Sequence, residues 1–434
     1  MMKLRDTRIL LLLLTITLFA FLQSAAAQDS VEFLNGVNMQ GKIIEIRKDA
    51  KEFDFETKIA SRSITKTYPY STVHAVTIKG KRFVLTPKVE TAANKDSSSD
   101  SNGGPSRSRA EVLALIESVG SQPPDWLEST PLNHPPTLEL DWPLNADGPW
   151  DESRNVGQYI WGRVNPNESR WRSGIKLVHQ CIDLHATNPS LLNRDMEKLG
   201  DMYFTLLQDY PRAAYWLQKK GATVSNRTGI YLAECYWRLG NKDMALGLLK
   251  APQLHLDAIK LLGDMGEIDS ALRVTQSYKN TGLFNEAFLN AGDALRGAGR
   301  LEEAIEYYQA ILDRNQARNE EYRKRYTARA AGAIEAIKLF DQADVAKVKD
   351  GTYTDSSTGY NGPVKVQVTV ADSKITDVRV TKHTEKQFYA AISDTTGQIK
   401  RTQGVRKIDG TSGATITSQA IIHASARALA QGAR

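Results

Sequence analysis

Apolar and polar positions alternate in short runs between residues 31 and 88. Gly41-Lys42-Ile43-Ile44-Glu45-Ile46 alternates in part, and Val73-His74-Ala75-Val76-Thr77-Ile78 alternates too. Gly80 and Lys81 stand where a hairpin turn falls before Arg82-Phe83-Val84-Leu85. The pattern predicts a small all-β barrel over 31–88. It carries no chemistry, and His74, one imidazole on a strand, is expected to be structural. Residues 176–340 read instead as helical and repetitive. Alternation returns after about residue 346. Asp350-Gly351-Thr352-Tyr353-Thr354 opens a strand, 357–363 is a turn-rich loop, and Val364, Val366, Val368 and Val370 share one strand face. Asp372 and Ser373 turn the chain into a return strand over 375–380. After a looser stretch, a helix with apolar Ile416, Ala420, Ile421, Ala424 and Ala428 closes the chain. Residues 346–434 therefore read as a small α+β domain, expected to fold alone.

Three further segments complete the order. Lys3, Arg5 and Arg8 precede an apolar run over 9–22, too short to span a bilayer comfortably, and Ser24-Ala25-Ala26-Ala27-Gln28 follows. This predicts a Sec signal peptide over 1–27, cleaved after Ala27, and an extracytoplasmic, periplasmic or secreted protein; an uncleaved anchor is the alternative. No Cys follows the apolar run and no Arg-Arg pair precedes it, which argues against lipoprotein and twin-arginine export. Residues 89–109, with three consecutive serines and Gly103-Gly104-Pro105, read as a flexible linker. Residues 110–175 hold five of the seven tryptophans (Trp126, Trp142, Trp150, Trp161, Trp171), the large rings an irregular cap needs to anchor itself on the helices that follow.

Composition narrows the chemistry. At 434 residues, 41% hydrophobic and 24% charged, the chain is neither a multi-span membrane protein, a collagen nor wholly disordered. Its length suits about two to four domains. A net charge of +6 lacks the dense basic patch of nucleic-acid binders, and no nucleic-acid partner is expected. Two cysteines, Cys181 and Cys235, exclude a disulfide framework, a four-Cys zinc site and an iron–sulfur cluster. They can form one disulfide or remain buried thiols. His179, Cys181 and His185 do not share a helix face, so no metal site is expected there. No catalytic dyad stands out.

In the helical region a Gly is followed five residues later by Ala: Gly240 with Ala245, Gly266 with Ala271, Gly299 with Ala304. Asp209-Tyr210-Pro211-Arg212-Ala213-Ala214 is a degenerate copy. The spacings of 26 and 33 residues suit helix–turn–helix repeats. The glycine opens the turn and the alanine lets two helices cross closely. This stretch resembles the tetratricopeptide-repeat family, with residues 298–308 the best match. The resemblance implies a solenoid with a protein-docking surface and no ligand chemistry.

The last motif is Asp409-Gly410-Thr411-Ser412-Gly413-Ala414-Thr415-Ile416-Thr417, at a helix start. Two glycines permit a tight turn, and free N–H groups with the positive dipole end favour a phosphate. Capping by Ser412 or Thr415 is the plain alternative. Residues 350–430 resemble the extracytoplasmic FMN-binding domain of the Rnf complex and of the sodium-pumping NADH:quinone reductase. The match rests on Asp350-Gly351-Thr352-Tyr353, on Gly359-Tyr360-x-Gly362-Pro363, on His383-Thr384-Glu385, and above all on Asp409-x-x-Ser412-Gly413-Ala414-Thr415-x-Thr417. The resemblance implies FMN bound by these residues, joined covalently by its phosphate to Thr415 by a flavin transferase. It also implies a redox partner protein or membrane electron-transfer complex. The family commonly has Glu-Thr-Pro-Gly where this chain has Glu385-Lys386-Gln387-Phe388. Residues 346–434 hold 13 Lys and Arg against 7 Asp and Glu, which suits a phosphate or an acidic partner.

The expectation is thus a multidomain chain: a small all-β N-terminal barrel, an α-helical repeat solenoid and an α+β FMN-binding C-terminal domain. Electron transfer is expected, with the repeats as docking surface; the alternative is a repeat scaffold whose FMN domain is vestigial or a sensor.

Overall fold

The computed structural model describes residues 29–33, 38–59, 62–70, 73–78, 81–85, 106–142, 151–162, 167–314, 316–386 and 389–433. The expected signal peptide, most of the expected linker, Trp150, Gln387 and Phe388 lie outside the described residues. The chain divides into two compact units, 1–99 and 100–434.

The first unit is an antiparallel sheet of β1 (Asp29–Phe33), β2 (Asn38–Arg47), β3 (Glu52–Ile59), β4 (Arg62–Pro69), β5 (Val73–Ile78) and β6 (Lys81–Val84), in the order β4-β3-β2-β1-β5-β6. Val31, Phe53, Phe55, Val73 and Val76 form its core. The expected barrel is not closed among the described residues. Strands β4 and β6 are the two edges, and every residue of β6 is exposed, with Phe83 at 42% and Val84 at 52%. A closing strand would have covered them. Lys81, expected in the turn, is already paired with Ile78.

In the second unit the chain enters at Arg107, whose N–H donates to Gly240 O at 2.9 Å. Ser108 and Glu111 form a reciprocal cap on α1 (Arg109–Leu115), which continues as a π-helical turn over Ile116–Gly120. There follow α2 (Val156–Trp161), α3 (Glu168–Leu184), α4 (Pro189–Thr205), α5 (Tyr210–Lys220), α6 (Arg227–Arg238), α7 (Lys242–Leu248), α8 (Ala258–Asp264), α9 (Ile268–Ser277), α10 (Phe284–Gly297), α11 (Leu301–Arg314) and α12 (Glu320–Leu339). From α3 on, most pack on their sequence neighbours. The Gly–Ala pattern has a direct cause. Gly240, Gly266 and Gly299 take φ of 98°, 80° and 79°, and each next residue donates its N–H back five positions, to Tyr236, Leu262 and Leu295. Ala245, Ala271 and Ala304 are fully buried where the helices cross. In the degenerate copy Gln208, at φ 51°, stands in the glycine's place, five residues before buried Ala213. Trp142 and Trp171 lie in the core of this region. His179 bonds the Tyr203 hydroxyl at 2.9 Å, His185 lies between Asp141 and Asp195, and both cysteines are buried free thiols.

The C-terminal segment is an antiparallel sheet β7-β8-β9 (Gly351–Thr358, Pro363–Ala371, Lys374–Lys382), then α13 (Tyr389–Thr402) and α14 (Thr415–Ala430). Asp372 and Ser373 make the β8–β9 turn with φ of 53° and 56°. The four valines of β8 are at most 1% exposed and face α14. Each contributes on the order of 2 kcal/mol of burial. In the sequence, helix α13 looks like a looser stretch, because its inward residues Ala391, Thr395, Gln398 and Ile399 are mostly small or polar.

The break in pattern near residue 346 is not a break in the core. One apolar cluster runs from Phe284, Leu295, Tyr308, Ala333 and Phe340 to Val366, Val368, Ile421 and Leu429. The expectation that residues 346–434 fold alone therefore changes. A fragment of those residues lacks the α10–α12 half of its core and should show no cooperative thermal transition by circular dichroism. A sharp transition would show that the strands and two helices suffice.

Candidate functional site

The motif at the start of α14 is held as a bent turn by its own backbone. Gly410 and Gly413 take φ of 68° and 78°. Thr411 N–H donates to Ser418 Oγ at 2.9 Å, and Thr411 Oγ1 donates to Asp394 of α13 at 2.8 Å. Ala414 is the N-cap residue, and no side chain caps the helix. Ser412 and Thr415 thus leave the first N–H groups of α14 without a side-chain acceptor. Thr415 is half-buried and opens on a cavity of about 470 Å³. That volume is within the ~300–1,000 Å³ of small-molecule sites.

Ser412, Gly413, Ala414, Thr415 and Tyr360 line this cavity. The other residues singled out in the sequence stand behind it. Glu385 is fully buried; it accepts the Thr417 hydroxyl and, at 2.8 Å, Asn361 N–H. Its own N–H donates to His383 Nδ1 at 3.2 Å. Gly359 permits this packing, since a Cβ there would meet Glu385 Oε1 at 2.7 Å, and Gly362 turns the loop at φ 124° into Pro363. These residues tie the 359–363 loop to 383–385 and both to α14. Burial lowers the pKa of His383, against the opposing pull of Glu385. Asp409 accepts from Arg238 at 2.9 Å and does not line the cavity. Burial raises its carboxyl, but Arg238 and Lys260 outweigh that and hold it below the ordinary value.

Much of the cavity wall comes from the helical region. Arg227, Tyr231, Lys260 and Arg329 face the 412–416 turn together with His255. Gly413 is pressed on that wall: a Cβ there would meet the Tyr231 hydroxyl at 2.9 Å and Thr205 at 3.0 Å. Its freedom serves a close approach of helices as well as a turn. Arg227 pairs with Asp257 at 2.8 Å, and Lys260 donates to Asp264. Sequence reasoning missed this wall, because these residues are far apart in the chain. The one visible signal is Arg329, a lone charge in Ala328-Arg329-Ala330-Ala331-Gly332-Ala333. Among the described residues no cluster of His, Cys, Asp or Glu could hold a metal ion.

The turn and cavity offer a place for a phosphate-bearing ligand, and comparison with known proteins indicates which kind. Residues 359–430 match the family model of the FMN-binding domain, which makes this a flavin-binding protein. A stretch of 88 residues, 20% of the chain, is 36% identical to an uncharacterised protein of Treponema pallidum (strain Nichols). The match spans 24% of that relative's length. No solved structure matches significantly.

Two outcomes follow from this geometry. Gly413→Ala should lower stability by about 2 kcal/mol or more, through strain at positive φ and the clash with Tyr231; denaturant unfolding measures it, and a neutral variant would contradict the packing. The second concerns His423 on α14. Burial first, then Arg296, Arg427 and Arg329, push its pKa down to about 3. Unfolding lets it take up a proton below its ordinary value of 6.5, so its contribution is complete above that pH and is lost as pH falls toward 3. The melting temperature should fall between pH 6.5 and 4.5, and less steeply in His423→Gln. Equal slopes would contradict this.

Proposed function

We propose that the protein is an exported flavoprotein carrying FMN as a phosphoester of Thr415, and that it passes electrons between extracytoplasmic or membrane redox partners. The observation that carries the reading is the half-buried Thr415 hydroxyl, set at an uncapped helix N-terminus and open to a cavity of flavin-suited size. The residues present fit a phosphate: the first N–H groups of α14 have no side-chain acceptor and would receive it, and the helix dipole would favour its charge. Attachment would need an activated flavin donor such as a flavin dinucleotide: Thr415 Oγ1 would form the bond to the flavin-side phosphorus, and the hydroxyl proton would leave with the displaced nucleoside monophosphate. The net gain is one FMN less one water. A bound flavin supplies one- and two-electron transfer. Tyr360 and Tyr231 border the space beside it, and the 359–363 loop fixes the Tyr360 edge. A tether suits an exported protein, because retention no longer depends on free FMN.

Export is supported by the Lys3–Arg5–Arg8, apolar and Ala25–Ala27 sequence. The resemblance to tetratricopeptide repeats supports a docking role for residues 176–340, and a flavin transferase would complete maturation. Among the described residues no helix is long and apolar enough to cross a membrane.

Mass spectrometry of the native, exported chain tests the reading. It should begin at or near Gln28 and exceed the bare mass by one FMN less one water, with the increment on the Thr415 peptide. Thr415→Val should fold and lack the increment. A bare native mass would favour a repeat scaffold without cofactor.

A further inference from the structure

We propose that Arg329 of α12 is the phosphate-binding cation of the cavity, so that the helical region and the C-terminal segment hold the flavin together. This rests on the reading of the cavity as an FMN site. Arg329 is 8% exposed and lines the cavity with Thr415. Its Nε donates to Gln419 Oε1 at 2.9 Å. Gln419 follows Thr415 by four residues, one turn along the same face of α14. The guanidinium is therefore anchored beside the uncapped first turn.

Its charge has no counter-ion. Among the described residues no carboxylate lies within ion-pairing distance of Arg329. Asp293 and Glu286 are near enough to be felt but form no ion pair with it, and Glu286, which also lines the cavity, has no hydrogen-bond partner at Oε2. Asp293 accepts from Tyr308 at 2.8 Å and from Gln419, and Glu286 Oε1 accepts from Tyr326. The other cations on the wall are satisfied, Arg227 by Asp257 and Lys260 by Asp264. Arg296, also buried, donates to the carbonyls of Arg406 and Ile408 at 2.8 Å each. Burial correspondingly pushes the Arg329 pKa below its ordinary value. A buried guanidinium without a partner is destabilising unless an anion joins it. A planar fork beside free helix N–H groups matches a phosphate with several acceptor oxygens.

Riboflavin, which is FMN without the phosphate, isolates the contact. Full-length protein made without a flavin transferase would be titrated with FMN and with riboflavin, following flavin fluorescence. The wild type should prefer FMN. Arg329→Gln should weaken FMN binding about ten- to a hundredfold and leave riboflavin unchanged. Arg329→Lys, which keeps the charge without the fork, should fall between. Inorganic phosphate should compete with FMN in the wild type, a readout that does not depend on a variant folding. Wild-type preference retained in Arg329→Gln, or no competition by phosphate, would overturn the assignment while leaving the flavin reading intact. A wild type that binds neither flavin would overturn that reading, and this one with it.

Discussion

Helix α12 packs along α14, and the candidate site depends on that contact. Gly332 lets the helices approach, since a Cβ there would meet His423 Nδ1 at 3.2 Å. One turn earlier Arg329 meets Gln419, and one turn later Ala336 and Ile337 enter the core that includes the β8 valines. The packing that stabilises the C-terminal sheet thus also places a cation beside Thr415. Core and site cannot be separated at residue 346, because the buried area that stabilises α14 comes from both sides.

Charge reinforces the same junction. Arg238 of α6 bridges Glu234 and Asp409 at 3.1 and 2.9 Å, and Arg296 of α10 holds the Arg406 and Ile408 carbonyls. Arg427 reaches Glu335 at 2.8 Å and Asp355 at 3.1 Å. Paired buried charges contribute little net stability, but breaking one leaves its partner buried and alone. These contacts hold the 406–409 loop, which leads into the Ser412–Thr415 turn, against α6 and α10. Asp409, which the motif alone suggests as a flavin contact, is in this structure the anchor of that loop.

What was legible in the sequence was local. The valine alternation, the Asp372-Ser373 turn and the glycines of the helix hairpins are set by backbone geometry within a few residues, and each has that geometry in the fold. The bent turn before α14 was legible for the same reason. Helix α13 was not, because its buried face carries Thr395 and Gln398, satisfied by Ser418 and Asp394 rather than by apolar contact. The N-terminal strands were visible but not their open edges, since strand alternation says nothing about closure. The helical wall of the cavity was invisible, because Tyr231 and Arg329 meet Gly413 and Gln419 only through tertiary packing.

The central claim is that one site is built from both regions. Hydrogen–deuterium exchange on the full-length protein, flavin-free and flavin-loaded, tests it most directly. The account predicts that flavin slows exchange in the first turn of α14 and, to a comparable degree, in α6 around Tyr231 and α12 around Arg329. Protection confined to residues 359–430 would contradict it.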